Sequence, residues 1–134
     1  MANDVIVSSK KICVWVRLSS VREYSWFDPF VEACLYEDDR FGDKCYPPNV
    51  SREGIDIAVV FSGTVDRSAT TVAVHVERAA RFVRALQVSE VQFEVEIPDK
   101  KEAAALNENG AKWYRVSLDP EAEIVEIPFD QVHG

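Results

Sequence analysis

Three cysteines and two histidines are the residues of this sequence best suited to nucleophilic chemistry. A cysteine nucleophile needs a nearby base that generates its thiolate. Cys45 lies in a polar segment next to a lysine, which is a plausible reactive setting, whereas Cys13 and Cys34 lie among apolar residues, as small buried side chains do. Of the two possible bases, His75 falls at the border of a predicted apolar helix face and His133 is the penultimate residue. This set does not by itself predict catalytic residues.

The same residues lack the spacing of a metal site. Zinc sites usually bring pairs of ligands two to four residues apart, and the cysteines here are separated by 21 and 11 residues. The acidic segment that begins at Glu37 lacks the alternating ligands and the closing glutamate of a calcium-binding loop. We therefore expect no metal and no cofactor.

A second candidate for chemistry is a predicted strand-to-helix turn at Ser62, Gly63 and Thr64. Backbone N–H groups and hydroxyls at a helix N-terminus can bind an anion. A single glycine without a P-loop lysine is a weak signal, and helix capping by Thr64 is favoured. A ligand pocket at this turn, with Cys45 or His75 contributed from elsewhere, remains an alternative in which the chain is a small enzyme or a ligand-binding domain.

Carboxylates are the most numerous chemical groups, and their distribution is uneven. Residues 1–36 carry four acidic and four basic groups, residues 37–87 carry eight and seven, and residues 88–134 carry eleven and four, for a net charge of −8. Such a surface repels nucleic acid and speeds association with a basic protein. If the late strands are neighbours, their carboxylates form one acidic patch. We predict these partner-binding residues: Glu37, Asp38, Asp39, Asp43, Glu94, Glu96, Glu123, Glu126 and Asp130.

Aromatic residues concentrate between Tyr24 and Phe30. Aromatic side chains anchor many interfaces, but they also supply much of the buried area of a small domain, so core packing is favoured here. Trp15 and Trp113 are likewise predicted to be core residues. Exposure of Trp26 or Phe27 would instead favour a homo-oligomer in which a second copy covers them.

Apolar periodicity and turn residues define the elements that position these groups. A long polar loop is predicted for residues 37–54, and the arginines of the long helix, Arg78, Arg81 and Arg84, are predicted to face solvent. The predicted elements are strands over 11–18, 55–62, 91–97, 112–118 and 123–127, with helices over about 28–36, 64–86 and 99–109. A strand is an alternative to the first helix, because Val31, Ala33 and Leu35 alternate with their neighbours. This order predicts an α+β domain with a mixed, largely antiparallel sheet of about five strands, one long amphipathic helix on one face and two short helices.

Length and composition predict a single domain spanning residues 1–134. Apolar residues make up 47% and charged residues 28%, the balance of a globular protein. No apolar stretch is long enough to span a membrane, no secretory signal is recognisable, and an odd number of cysteines favours a reducing compartment such as the cytoplasm. The leading hypothesis is a non-catalytic protein that binds a basic protein partner, as immunity proteins, antitoxins and inhibitors do.

Overall fold

A computed structural model of the chain describes residues 4–36, 49–62, 72–119 and 121–132, without the side chains of 32–36, 62 and 72–75. Short 3₁₀ turns at Val21–Glu23 and Phe129–Gln131 flank the regular elements. The strands and α-helices within these residues are β1 (Val5–Ser8), β2 (Lys11–Arg17), α1 (Tyr24–Tyr36), β3 (Asn49–Glu53), β4 (Asp56–Ser62), α2 (Val72–Val88), β5 (Gln92–Val95), α3 (Lys100–Glu108), β6 (Trp113–Val116) and β7 (Val125–Ile127).

The strands form two antiparallel sheets. The larger sheet has the order β3-β4-β2-β5, and the smaller has the order β1-β6-β7. The α+β class is confirmed, but the single sheet of about five strands was wrong. The chain bends between β1 and β2, where the Ser9 amide donates to the Lys112 carbonyl at 2.9 Å, so β1 pairs with β6 instead of extending the sheet that contains β2.

The larger of two clusters of buried apolar residues lies between the larger sheet and helices α1 and α2, and β1 and β6 also contribute to it. Along β2, Ile12, Val14 and Val16 are buried, and Ile57, Val59 and Phe61 of β4 are buried beside them, as the two-residue period of strands requires. The helices add Phe27, Val31, Val76, Ala79, Ala80, Phe82, Val83 and Leu86 to the same cluster. The sheet therefore has a core face and a second face that the helices of this cluster do not cover.

Local capping and turn signals are confirmed at α3 and at the last hairpin. The Asp99 carboxylate accepts a hydrogen bond from the Glu102 amide at 2.8 Å, as an N-cap residue does. Gly110 has φ 89°, the left-handed conformation that glycine adopts without a side-chain clash. Strands β6 and β7 pair antiparallel, as the intervening turn predicted.

The start of α1 and the presence of β3 differ from the prediction. Helix α1 begins at Tyr24, upstream of the expected start at Asp28 and Pro29. Pro29 therefore lies inside the helix, where it cannot donate to the Ser25 carbonyl, and the burial of Phe27 in the core helps to offset this cost. β3 lies within the predicted loop over 37–54. Its residues are mostly exposed, so the strand lacks the apolar alternation that marks a strand in sequence.

The arginines of α2 also depart from the prediction. Arg81 is exposed, but Arg78 is only 3% exposed. Arg84 is partly buried and donates to the carbonyl oxygens of Ser117 and Ala122 at 3.0 to 3.1 Å. The segment that follows β6 therefore covers a side of α2 that the helical period alone assigns to solvent. Among the described residues, no helix has the length and apolarity that crossing a membrane requires.

Candidate protein-binding surface

The face of the larger sheet opposite the core carries an exposed tryptophan. Val14 and Val16 point into the core, so the alternation of β2 places Trp15 and Arg17 on the opposite side. We call this side the open face. Trp15 is 46% exposed, so its prediction as a core residue was wrong, whereas Trp113 is 2% exposed and is buried as predicted.

Strand register places two rows of side chains across the open face. In the first row Trp15 lies between Ala58 of β4 and Glu94 of β5. Because Ala58 is small, the row has a depression beside the indole, and the residues of both rows line a shallow concavity of about 770 Å³. The two rows are Ser51, Ala58, Trp15 and Glu94, followed by Glu53, Asp56, Arg17 and Gln92.

The charge of these two rows is negative. They contain three carboxylates, Glu53, Asp56 and Glu94, and one guanidinium, Arg17, for a net charge of −2. Arg17 donates two hydrogen bonds to the Asp56 carboxylate, at 2.7 and 3.3 Å. This pairing lowers the pKa of Asp56 and raises the pKa of Arg17, so both groups are ionised at neutral pH. The only cation of the rows is thus matched by one carboxylate, and two carboxylates remain.

A second concavity of about 400 Å³ adjoins the first and contains another exposed tryptophan. Trp26 of α1 is 38% exposed there, and Arg17 and Gln92 line both concavities. Glu23 and Glu90 add two carboxylates to its lining, and the Glu23 carboxylate accepts a hydrogen bond from the Ser19 amide at 2.7 Å. The two concavities together expose two indoles among acidic side chains.

Contacts between α1 and the β3–β4 turn fix the rim of this surface. Arg52 forms an ion pair with Asp28, and its guanidinium carbon lies 5.1 Å from the centroid of the Tyr24 ring, within cation–π range. The Tyr24 hydroxyl donates to the Gly54 carbonyl. Gly54 has φ 62°, so glycine suits this turn position. The turn is therefore held against the helix that carries Trp26.

The predicted acidic residues lie in two separate places. Glu94 lies on β5 and Glu96 directly follows it, in the larger sheet, and both are exposed. Glu123, Glu126 and Asp130 are exposed in and around β7, in the smaller sheet. Because β5 and β7 are not neighbours in a sheet, the condition on which the single acidic patch depended is not met.

Glu126 has a local partner. Its carboxylate lies 3.7 Å from the Lys112 ammonium, and Tyr114 is its register partner on β6. Burial raises the pKa of Tyr114, and the charge of Glu126 raises it further. The acidic residues around β7 are thus partly neutralised by a neighbouring cation.

Several predicted residues lie outside the described residues. These are Glu37, Asp38, Asp39, Asp43, Cys45, Gly63, Thr64 and His133. Ser62 is the last residue of β4 and His75 lies near the start of α2, but the structure does not describe their side chains. The alternative ligand pocket at this turn therefore also lies outside the part of the chain that the structure describes.

Cys13 is buried, as predicted, on the open-face side of β2 near α3. Pro98, Glu96 and Leu106 line the small crevice in which it lies. Burial, and secondly the negative charge of Glu96, raise the pKa of the Cys13 thiol to about 11. The thiol is therefore protonated at neutral pH and is a poor nucleophile. Within the described part of the chain, no group of three or more acidic, histidine or cysteine side chains is arranged to hold a metal ion.

The exposure of Trp15 has a signal in the sequence. Trp15 shares its strand parity with the charged residues Lys11 and Arg17, whereas the apolar residues Ile12 and Val14 have the opposite parity.

Comparison with protein-family models, with curated proteins and with solved structures gives no match for this chain. A function for this chain is therefore inferred from the geometry of its surface.

Proposed function

We propose that this chain is a non-catalytic binding module that engages a basic protein partner through the open face around Trp15. The supporting observation is the 46% exposure of a tryptophan in the interior of a sheet face, between two cross-strand neighbours. Tryptophan is enriched among the residues that dominate binding energy, and such residues lie near the centres of interfaces. The role is of the type filled by immunity proteins, antitoxins and inhibitors.

The carboxylates around Trp15 define the charge of the partner. Glu53 and Glu94 flank the concavity that contains Trp15, and Glu23 and Glu90 flank the one that contains Trp26. A cationic surface that covers both concavities meets an excess of negative charge, and the net charge of −8 on the whole chain steers it there from a distance. The acidic residues around β7 add to this long-range attraction without being part of the contact.

The test is capture of the partner from a lysate at low and at moderate salt with wild-type and variant chains. We expect a basic protein that binds the wild type in a fixed ratio and is lost with Trp15→Thr and with Glu94→Lys. Val125→Thr and Glu123→Lys are the matched controls, because Val125 is 50% exposed in β7 and Glu123 is exposed nearby. These controls should retain the partner.

Two outcomes contradict the proposal. Retention of the partner by both Trp15→Thr and Glu94→Lys, with loss by Glu123→Lys, would place the contact on the smaller sheet and remove the role of the open face. A captured partner that is acidic, or binding that strengthens with added salt, would contradict the charge argument, since screening weakens attraction between opposite charges.

A further inference from the structure

β5 is an edge strand of the larger sheet. It pairs with β2 on one side, and among the described residues no strand pairs with its other side. The Glu96 amide donates to the Cys13 carbonyl at 2.9 Å, so the backbone of Glu94, two residues earlier, also faces β2. The N–H and C=O groups of Phe93 and Val95 therefore point away from the sheet.

Few described elements lie near this edge. Only β2 and α2 contact β5 extensively, and α2 belongs to the core side of the sheet. Ile97 follows Phe93 and Val95 in the alternation of the strand, and it is 61% exposed. The edge thus presents backbone hydrogen-bonding groups and an exposed apolar side chain, and such an edge can pair with a further strand.

We propose, building on the function proposed above, that β5 accepts an extended strand of the basic partner and so lengthens the larger sheet by one strand. In an antiparallel arrangement, as in every pair of this sheet, partner residues opposite Phe93 and Val95 bond to their backbones. Partner residues of the other parity lie on the open face beside Glu94 and Glu96. Lysine or arginine at those positions forms cross-strand pairs of opposite charge.

The carboxylates of β5 argue against a second copy of this chain as the added strand. An antiparallel pair of two β5 strands centred on Glu94 places the two Glu94 side chains opposite each other. A pair centred on Val95 places Glu94 opposite Glu96. Both arrangements juxtapose like charges, which destabilises strand pairing. A pair centred on Phe93 avoids this by placing Glu94 opposite Gln92, but it provides no opposite charge for Glu94 or Glu96. A basic segment avoids this repulsion, so the occupant is the basic partner.

The geometry specifies a discriminating probe, the peptide Lys-Val-Lys-Val-Lys-Val-Lys with blocked ends. When its lysines lie beside Glu94 and Glu96, the N–H groups of its valines point towards β5 and those of its lysines point away. N-methylation of the three valines therefore removes the donors to β5, whereas N-methylation of three lysines is the matched control. The dissociation constant of each peptide for the full chain is measured by titration calorimetry.

We expect valine methylation to weaken binding about tenfold or more, because several hydrogen bonds are lost together, and lysine methylation to change it much less. The unmodified peptide should also slow hydrogen exchange at the amides of Phe93 and Val95. If both methylated peptides bind as tightly as the unmodified one while Trp15→Thr still weakens binding, strand addition is refuted and the open-face function stands. If the unmodified peptide does not bind the wild type, strand addition is refuted, and the proposed function is then decided by the capture experiment with Trp15→Thr and Glu94→Lys. Concentration-dependent dimerisation that protects Phe93 and Val95 without peptide would replace the partner strand by a second copy.

Discussion

Replacement of Trp15 by threonine tests the open face most directly. Threonine is β-branched and therefore suits a strand, and it removes the indole from the surface. The side chain is 46% exposed, which is about 115 Å² of a tryptophan that can bury roughly 250 Å². At about 25 cal/mol per Å², complete burial in an interface contributes ~3 kcal/mol. The threonine side chain still buries a smaller apolar area in the interface, so we expect the binding free energy to weaken by about 2 kcal/mol, which is about thirtyfold in Kd.

Titration calorimetry with the captured basic partner measures this loss, because the lysine–valine peptide pairs with the outer side of β5 and that strand separates it from Trp15 on β2. Val125→Thr is the matched control, because Val125 is 50% exposed but belongs to β7 of the smaller sheet. Thermal unfolding of each variant shows whether the chain is folded at the temperature of the titration. The half-buried part of the indole also stabilises the fold, so a lower Tm for Trp15→Thr is expected and does not affect the comparison of folded chains.

A contact between the partner and Trp15 is refuted if folded Trp15→Thr binds the captured partner as tightly as the wild type. It is also refuted if Val125→Thr causes the larger loss, since the contact would then involve the smaller sheet. A loss of similar size in both variants would show that partner binding follows total exposed apolar area and not the open face.

Three further predictions concern stability and pH. Phe82→Ala should lower the free energy of unfolding by about 3–5 kcal/mol in urea titrations, because Phe82 is fully buried at the centre of the core. Asp99→Ala should cost about 1 kcal/mol, since it removes the acceptor for the Glu102 amide at the start of α3, and Asp99→Asn should restore most of it. The pKa of the Cys13 thiol is raised from 9.0 to about 11, so the unfolded chain releases this proton before the folded chain does. This contribution to stability is complete below pH 9 and declines as the pH rises from about 9 to about 11, and Cys13→Ser should remove that part of the decline.

Each of these predictions has a result that contradicts it. A Phe82→Ala chain with the urea midpoint of the wild type would show that the aromatic core is not as described. Equal stability of Asp99→Ala and Asp99→Asn would show that the loss of stability does not come from the missing cap. An unchanged alkaline slope in Cys13→Ser, or rapid alkylation of Cys13 in the folded chain at neutral pH, would contradict burial of a protonated thiol.

Elements whose signal is local could be predicted from the sequence. The α3 cap at Asp99, the left-handed Gly110 and the β6–β7 hairpin are each specified within a few residues, because capping and turn geometry depend on neighbours in the chain. Strand β3 could not be predicted, because it is an edge strand with few buried side chains. Arg84 could not be placed correctly either, since its hydrogen-bond partners Ser117 and Ala122 are distant in the chain, and Arg78 is buried although the helical period assigns it to solvent.

The candidate site, too, could be predicted from the sequence only in part. The sequence by itself determined the acidic excess of the C-terminal third and the alternation of β2, which contains the information that Trp15 shares a face with Lys11 and Arg17. Only the tertiary structure decided that this face is left exposed and that β5 and β7 belong to different sheets. The physical reason is that alternation specifies which side chains share a side of a strand, whereas the long-range pairing of strands and the packing of helices decide which side meets water.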